Sequence, residues 1–336
     1  MMMRPLLAFG LAFGVSCLLG RLLLPLLHKW HVIDHPNVRS SHTKPTPRGG
    51  GLAMILAVLV GWAIIAIFMR QAFVSVLPLA GIIGLGLVSW MDDRKGMPAS
   101  LRLVAQAGAV VLPLLFMPRD QLVFGSLLPL IPDRILAGIC WLWFINLFNF
   151  MDGIDGIAGG EAASVGLGLA LVGMLAGQQE APVLMALVAA GAACGFLVWN
   201  WHPAKMFMGD VGSIPMGYAL GWLLIGLAAA GHLFPALILP LYFVADASFT
   251  ITKRALRREK IWEAHREHLY QVAVQGGRSH ARVTSLVIVI NIVLIAAAAS
   301  AVWLGWEALA IAVVPVVALM WIFSHARHEK GEKPAA

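Results

Sequence analysis

Charged residues are scarce in this sequence, and that scarcity is the first limit on its class. Only 12% of the 336 residues are charged, whereas 60% are hydrophobic. A typical soluble domain carries about 25% charged residues, and a soluble fold of this length could not bury so much apolar surface. The apolar residues also form long uncharged runs, which are typical of membrane-spanning helices. The composition therefore excludes a soluble protein and leaves no room for a sizeable soluble domain.

Cysteine is also rare, with three residues in the whole chain. Cys17, Cys140 and Cys194 each lie inside an apolar run, and no Cys-x-x-Cys pair is present. This pattern excludes a disulfide framework and a cysteine-based zinc site, because both need paired or clustered cysteines. The three thiols are interpreted as small buried hydrophobic groups.

The hydrophobic runs predict an all-α, polytopic membrane protein with about eleven transmembrane helices. The predicted spans are residues 5–27, 49–69, 74–91, 101–117, 134–149, 161–177, 181–199, 212–230, 234–252, 283–304 and 306–323. They form one catalytic transmembrane domain over residues 1–324, followed by a short basic cytoplasmic tail at 325–336. Most Lys and Arg residues lie in loops on one side, which the positive-inside rule places in the cytoplasm with the N-terminus outside. This topology also accounts for the net charge of +7. The excess of Lys and Arg therefore does not indicate nucleic-acid binding.

The few polar residues collect in loops on the predicted cytoplasmic side. Five acids and two amides lie at that membrane edge: Asp92, Asp93, Asp152, Asp155, Asp210, Asn146 and Asn149. Each acid alone could be a helix-end carboxylate in contact with water. Together they would repel one another, and a hard divalent cation such as Mg²⁺ would resolve that conflict because it prefers oxygen ligands. Glycines flank the acids and let the backbone approach a phosphate closely.

Two further segments supply basic groups on the same side. Residues 34–51 combine Lys44 and Arg48 with stiff prolines and a glycine run that opens a helix, whose N-terminus favours anions. Positive-inside topology alone would explain the cations but not the prolines and glycines. Residues 265–268 read His-Arg-Glu-His, which favours ligand contact without the spacing of a zinc site. The residues alone therefore predict a metal-assisted phosphoryl reaction on a polyanion at the inner membrane surface.

Five motifs, in their order along the chain, resemble one enzyme family. They are PTPRGGG at 45–51, MDDRKG at 91–96, NxxNxxDGIDGIAGG at 146–160, FMGDVGS at 207–213 and HREHLYQ at 265–271. The set resembles the polyprenyl-phosphate N-acetylhexosamine-1-phosphate transferases, glycosyltransferase family 4 of the bacterial cell-envelope type, over about residues 30–280. The resemblance implies transfer of a sugar 1-phosphate from a UDP-N-acetylhexosamine to undecaprenyl phosphate, with release of UMP. It also implies a Mg²⁺ cofactor, with Mn²⁺ as a substitute, and a multi-pass location in the bacterial cytoplasmic (inner) membrane.

The resemblance implies roles for the acids and for one amide. Asp210 and Asn149 look like direct Mg²⁺ ligands. Asp92 looks like the group that assists deprotonation or positioning of the lipid phosphate, with Asp93 in support. Asp152 lies near the diphosphate, and the motif leaves open whether it acts as a nucleophile. Direct attack by the lipid phosphate is favoured, because a phosphate monoester with a second pKa of about 6 is already largely dianionic at neutral pH.

The donor contacts follow from the same resemblance. Those implied for the nucleotide are Asp155, Phe207, Asn146, Lys44 and Arg48, and those implied for the sugar are His265, Arg266 and His268. The family often has three histidines within four residues in its last cytoplasmic loop, whereas Arg266 and Glu267 separate the two histidines here. The segments NVRSSHTKPTPRGGG at 37–51 and HREHLYQ at 265–271 look most like the branch that initiates O-antigen and lipopolysaccharide synthesis, with FucNAc, QuiNAc or GlcNAc as donor sugar. A homodimer is left open.

Three alternatives compete with this interpretation. The peptidoglycan phospho-MurNAc-pentapeptide transferase is disfavoured because the triple-histidine signature is absent. A transporter of an anionic solute would place ionisable groups near the membrane midplane, where Asp246 is the one candidate and a buried helix-pairing role is its simpler interpretation. A CDP-alcohol phosphotransferase requires an Ala-Arg pair after its first Asp-Gly, whereas Ile154 and Asp155 follow Asp152 and Gly153 here.

Overall fold

The computed structural model describes residues 3–36, 44–69, 72–261 and 265–326 of the chain. Part of the predicted anion-binding loop, residues 37–43, lies outside the described residues. So does most of the predicted basic tail, residues 327–336. The functional side chains predicted from the motifs all lie within the described ranges.

Helices make up nearly all of the described chain. They are α1 (Met3–Lys29), α2 (Gly51–Phe68), α3 (Ala72–Lys95), α4 (Ala99–Phe116), α5 (Leu130–Phe150), α6 (Ile157–Leu175), α7 (Glu180–Asn200), α8 (Asp210–Ala229), α9 (Leu233–Ile238), α10 (Leu241–Leu256), α11 (Leu269–Gln275), α12 (His280–Leu304) and α13 (Trp306–Ser324). Within these ranges, 10 helices are long and apolar enough to cross a membrane. The predicted all-α, polytopic architecture is confirmed, while the predicted orientation of the N-terminus stays a prediction.

The ninth predicted span, residues 234–252, is not one continuous helix. It is divided into α9 and α10, which are separated at Leu239 and Pro240. Proline has no N–H to donate to the preceding turn, and its ring clashes with that turn's carbonyl, so a helix interrupts there. Neither piece reaches the length of the ten candidate spans. The helix α11, which the sequence did not predict, follows α10 and carries part of the HREHLYQ motif.

The centre of the bundle is formed by α6, α7 and α8, whose residues are mostly buried. These helices are rich in alanine and glycine, so neighbouring backbones approach closely. A Cβ atom on Gly191 or Gly195 would lie 2.3 Å from a carbonyl oxygen of α1, that of Phe9 or Phe13. The outer helices α1, α4 and α13 instead expose large apolar side chains, as a lipid-facing surface requires.

A small non-helical connection joins two distant segments at one end of the bundle. Strands β1 (Ile33–Asp34) and β2 (Thr46–Pro47) pair antiparallel. Next to them, the Phe207 backbone N–H donates to the Pro47 carbonyl over 2.8 Å, and Gly50 N–H donates to the Phe207 carbonyl over 2.8 Å. A Cβ atom on Gly51 would lie 2.5 Å from the Gly212 Cα, so only glycines permit this approach of α2 to α8. The pairing brings the PTPRGGG and FMGDVGS motifs together.

Candidate active site

Two acids from different helices share one arginine at this end of the bundle. Arg48 Nη2 lies 2.7 Å from the Asp210 Oδ1 atom and 3.0 Å from the Asp93 Oδ1 atom. Asp93 lies near the end of α3, whereas Asp210 is the first residue of α8. Burial lowers the pKa of Arg48, but the charges of Asp210 and Asp93 outweigh that effect and hold its pKa above the ordinary value. The guanidinium therefore stays charged between the two carboxylates.

A second arginine, Arg102, lies outside the five motifs and belongs to the same cluster. Arg102 Nη1 lies 3.0 Å from Asp92 Oδ2 and 3.7 Å from Asp210 Oδ2. It stands on the first turn of α4, just after the loop that follows the acids of α3. That position near the acidic loop was the signal that could have found it. We call Arg48, Asp92, Asp93, Arg102 and Asp210 the acid–arginine cluster.

The two asparagines of the predicted site have different surroundings. Asn149, on the last turn of α5, accepts a 2.6 Å hydrogen bond at Oδ1 from the Ser213 hydroxyl, one turn beyond Asp210 in α8. This contact directs the Asn149 amide toward the start of α8. Asn146, one turn earlier, donates instead to Gln106 Oε1 over 2.7 Å and so ties α5 to α4. The contact that the structure shows for Asn146 is therefore a structural link between α5 and α4.

Asp152 lies beside the acid–arginine cluster in the loop between α5 and α6. Its pKa is well above the ordinary value because of burial and the nearby charges of Asp210 and Asp155, although Arg48 opposes this shift. The loop is covered by α11: Tyr270 donates its hydroxyl hydrogen to the Phe150 carbonyl over 3.1 Å. A cation or a phosphate bound beside this buried carboxyl would shift its pKa further.

The oxygen atoms that could bind a metal ion at this end of the bundle suit a hard cation. They are carboxylate and amide oxygens from Asp210, Asn149, Asp93 and Asp92, which Mg²⁺ prefers to nitrogen or sulfur. Asp93 Oδ2 is buried and has no hydrogen-bond partner among the described groups. A buried oxygen without a partner is costly unless a ligand satisfies it. The residues therefore fit the predicted divalent metal.

Asp155 lies in the loop between α5 and α6 and contacts two histidines that lie outside the five motifs. His202 Nδ1 lies 2.6 Å from Asp155 Oδ2, and His280 Nδ1 lies 3.2 Å from Asp155 Oδ1. The Ala204 backbone N–H also donates to Oδ2 over 3.2 Å. Burial raises the pKa of Asp155, but hydrogen bonds from His280 and His202 outweigh it, so its pKa lies below the ordinary value. Neither histidine belongs to a local motif.

The predicted sugar-binding residues lie at the start of α11, and their exposure differs. His268 is 2% exposed, is the N-cap residue of α11 and stacks on Tyr270. The first N–H groups of α11 donate to Asp246, with Leu269 N–H 2.8 Å from Oδ1. Asp246 is thus an anchor for α11, as its simpler interpretation predicted. His268 is buried and positions the loop. His265 and Arg266 are partly exposed, so they are the predicted sugar-binding residues that a ligand can reach.

Ion pairs hold the segment 265–268 against the end of α10. Glu267 pairs with Arg254 and Arg257, and both arginines also pair with Glu259. Burial raises the pKa of Glu267, but hydrogen bonds from Arg257 and Arg254 outweigh that effect and lower it. Burial, His268 and Arg254 lower the pKa of His265 to about 4. His265 is therefore neutral at neutral pH, and its ring can accept or donate a hydrogen bond without carrying charge.

Two other predicted nucleotide contacts lie at the edge of the site. Phe207 is partly buried and adjoins Arg48 through the parallel backbone bridge between the two residues. Lys44 is exposed, and its ammonium group makes no ion pair or hydrogen bond with any group in the described ranges. The structure thus brings Phe207 to the acid–arginine cluster but does not bring Lys44 into contact with it.

Known proteins are similar to this chain over most of its length. Residues 75–228 match the model of glycosyl transferase family 4. A probable undecaprenyl-phosphate N-acetylglucosaminyl 1-phosphate transferase of Bacillus subtilis (strain 168) is 30% identical over 295 residues, which are 82% of this chain and 80% of the relative. The chain belongs to glycosyl transferase family 4. Members of this family are polyprenyl-phosphate hexosamine-1-phosphate transferases of bacterial membranes.

Two further members of glycosyl transferase family 4 differ in the substrate that their names state. A decaprenyl-phosphate N-acetylglucosaminephosphotransferase of Mycobacterium leprae (strain TN) is 28% identical over 307 residues, 78% of this chain and 75% of the relative. A phospho-N-acetylmuramoyl-pentapeptide-transferase of Synechococcus sp. (strain JA-3-3Ab) is 34% identical over 248 residues, 66% of this chain and 68% of the relative. The similarity therefore establishes the class of reaction and leaves the donor sugar to be assigned.

Proposed function

We propose that this protein transfers an N-acetylhexosamine 1-phosphate from a UDP-sugar to undecaprenyl phosphate and releases UMP. The observation that carries the proposal is the acid–arginine cluster, in which acids from α3 and α8 converge on two arginines at one end of a membrane bundle. Phosphoryl transfer needs positioning and charge neutralisation more than covalent apparatus. The cluster supplies both beside the membrane, where a lipid phosphate and a soluble nucleotide can meet.

The reaction we propose is a direct displacement. An oxygen of the lipid phosphate attacks the phosphorus that bears the sugar, the bond between the two phosphates of the donor breaks, and UMP leaves. Arg48 and Arg102 would bind phosphate oxygens, and Asp92 would orient the attacking phosphate or accept its last proton. Asp93 is kept as the support of Asp92, and its ion pair holds Arg48 beside Asp210. Asp152, which is close enough to Asp210 for that charge to raise its pKa, would lie near the diphosphate.

Divalent metal binding is part of the same proposal. Asp210 and Asn149 would hold Mg²⁺, or Mn²⁺ in its place, and the bound ion would neutralise the diphosphate. Ser213 orients the Asn149 amide through its 2.6 Å hydrogen bond. The acids exceed the arginines in number at this end of the bundle, which supports a cation there.

The donor sugar and the biological role are the finer parts of the proposal. The names of two relatives support GlcNAc among the predicted donors GlcNAc, FucNAc and QuiNAc. The segment 265–268, with Arg266 and Glu267 between the histidines, keeps the 6-deoxy sugars as candidates. We propose an initiating step of O-antigen or a related envelope glycan, at the cytoplasmic face of the inner membrane. The predicted homodimer finds no support in the fold or in the relatives.

The test is a UMP-release assay with the purified full-length protein in detergent, Mg²⁺, undecaprenyl phosphate and a panel of UDP-N-acetyl sugars. Release of UMP that requires both the lipid phosphate and the metal is the expected result. UDP-MurNAc-pentapeptide belongs in the panel, because the Synechococcus relative is named for that substrate. Turnover with that donor alone would replace the proposal by the peptidoglycan reaction. Solute flux into proteoliposomes without UMP release would indicate a transporter instead.

A further inference from the structure

One carboxyl group inside the bundle takes no part in the candidate active site. Glu161, one turn into α6, is 0% exposed, and Asn291 of α12 beside it is 1% exposed. Asn291 Nδ2 donates a hydrogen bond to Glu161 Oε2 over 2.7 Å. The second oxygen of the carboxyl, Oε1, and the amide oxygen, Oδ1, are both buried without a hydrogen-bond partner among the described groups. Two unsatisfied acceptors in one buried contact are costly.

No cation compensates Glu161 within the part of the chain that the structure describes. The titratable side chains of the three helices packed most closely against α6 are Glu180, Cys194, Asp210, Tyr218, His280 and Arg282. The two basic ones lie on the first turn of α12. They are therefore about 13 Å or more from Asn291 along the helix axis, too far to pair with Glu161.

Tyr242 of α10 is close enough to interact with Glu161 electrostatically. Its hydroxyl has one hydrogen, which it donates to Asp246 over 3.0 Å. That hydrogen is not available to Glu161. An ionised Glu161 would therefore be an isolated anion inside the bundle, where a carboxyl instead becomes neutral.

One proton would satisfy both oxygens of the contact. A protonated carboxyl has an O–H that donates and a carbonyl oxygen that accepts, and a primary amide offers the same two functions. With the proton on Oε1, Glu161 donates to Asn291 Oδ1, while Asn291 Nδ2 donates to Glu161 Oε2. The two planar groups then form a closed pair of hydrogen bonds with no net charge.

We propose that Glu161 is a neutral carboxylic acid in the folded protein and joins α6 to α12 through this pair of hydrogen bonds with Asn291. The proton is taken up from water when the chain folds. The inference goes beyond the proposed function and does not depend on it.

The pair continues a row of contacts between α12 and the start of α6. The Thr284 hydroxyl donates to the Asp155 carbonyl oxygen over 2.9 Å. A Cβ atom on Gly160 would lie 3.1 Å from the Ile288 side chain. The proton on Glu161 therefore helps to hold α6 and the loop before it against α12.

The test compares the unfolding equilibria of variants of the full-length protein in mixed micelles, titrated with sodium dodecyl sulfate between about pH 5 and about pH 8, above the usual Glu pKa of about 4.3. Glu161→Gln replaces the O–H by an N–H, so it keeps both hydrogen bonds without needing a proton. Glu161→Leu removes both and leaves the Asn291 amide unsatisfied. Glu307→Gln, at an exposed acid on the first turn of α13, is the matched control.

The wild type is expected to lose stability relative to Glu161→Gln as the pH rises. Above about pH 4.3 the unfolded Glu161 is ionised while the folded one holds a proton, so the folded-to-unfolded ratio falls by up to about tenfold for each pH unit. Glu161→Leu should be about tenfold less stable than Glu161→Gln at every pH. Glu307→Gln should follow the wild-type curve.

A stability difference between the wild type and Glu161→Gln that does not change with pH would overturn the inference, because Glu161 would then be ionised in both states. Lower stability of Glu161→Gln at every pH, with wild-type stability that rises with Na⁺ or K⁺, would overturn it in favour of a bound cation. Neither readout involves UMP release, so failure of the proposed function would leave this test unaffected.

Discussion

The two sides of the candidate site balance their negative charge in different ways. On the side of the acid–arginine cluster, carboxylates of α3 and α8 pair with guanidinium groups. We call the other side, with Asp155 and the segment 265–268, the donor side, because it holds predicted donor contacts. There Asp155 pairs with two imidazoles and a backbone N–H. Arginine remains protonated at any pH that the protein meets, whereas the imidazoles and the backbone N–H offer hydrogen bonds of fixed direction. The first side therefore holds fixed charges of both signs, and the second holds one buried anion with directional hydrogen bonds.

This difference suggests a functional division, in which one side acts on turnover and the other on the choice of donor. Fixed charge beside a phosphate stabilises the charge that develops during transfer, so changes in the acid–arginine cluster should act on turnover. Directional hydrogen bonds discriminate between ligands of similar size, so changes on the donor side should act on which donor is bound. The predictions below test this division, beginning with the change expected to have the largest effect.

The largest effect is expected for Asp210→Asn. Asp210 pairs with Arg48 and lies near Arg102, and asparagine keeps its shape while removing its charge. We expect the rate of UMP release at saturating substrate to fall by about 10³-fold, the scale of losing one electrostatic stabiliser of a transition state. Asp92→Asn should act similarly. Asp120→Asn, at an exposed acid of the loop after α4, is the control. Near-normal turnover of the Asp210 variant would remove this residue from the mechanism.

A smaller loss is expected for Arg102→Gln. The change leaves Asp92 without its ion pair and Asp210 with Arg48 alone. We expect kcat/KM for the lipid phosphate to fall by about tenfold to a hundredfold, because a charge-assisted contact to phosphate is lost. Arg102→Lys should lie between the variant and the wild type, since lysine keeps the charge but not the planar fork.

The control for that prediction is Arg119→Gln, at an exposed arginine just beyond the other end of α4. It should leave kcat/KM for both substrates unchanged. A changed donor preference in Arg102→Gln with unchanged kcat/KM for the lipid phosphate would contradict the division between the two sides.

The sequence predicted this site unevenly, and the reason is physical. Apolar runs and short motifs are local signals, so most helices and the meeting of Asp92 with Asp210 could be predicted. The contacts of Arg102, His202 and His280 depend on which helices pack together, and no local pattern marks them. The break at Pro240 was missed because hydropathy continues across it while the backbone hydrogen bonding does not. Exposure, which decides between His265 and His268, also depends on tertiary packing.

The smallest effect is expected for Glu267→Gln, which tests the donor side. Glu267 and Glu259 both pair with Arg254 and Arg257, but only Glu267 lies in the segment 265–268. Loss of its charge loosens His265 and Arg266 and should change the ratio of kcat/KM for UDP-GlcNAc and a UDP-6-deoxy sugar by about threefold. Partly exposed ion pairs contribute at most about 1 kcal/mol, which limits the effect to this size.

Glu259→Gln is the matched control for that change, because it removes an equivalent ion pair outside the segment 265–268. It should leave the ratio of the two donors unchanged. Equal shifts in both variants would show that the charges of Arg254 and Arg257, not the placement of the segment, set donor preference. Glu267→Gln could instead lower turnover equally with every donor. The segment 265–268 would then act with the acid–arginine cluster, and the proposed division between the two sides would be wrong.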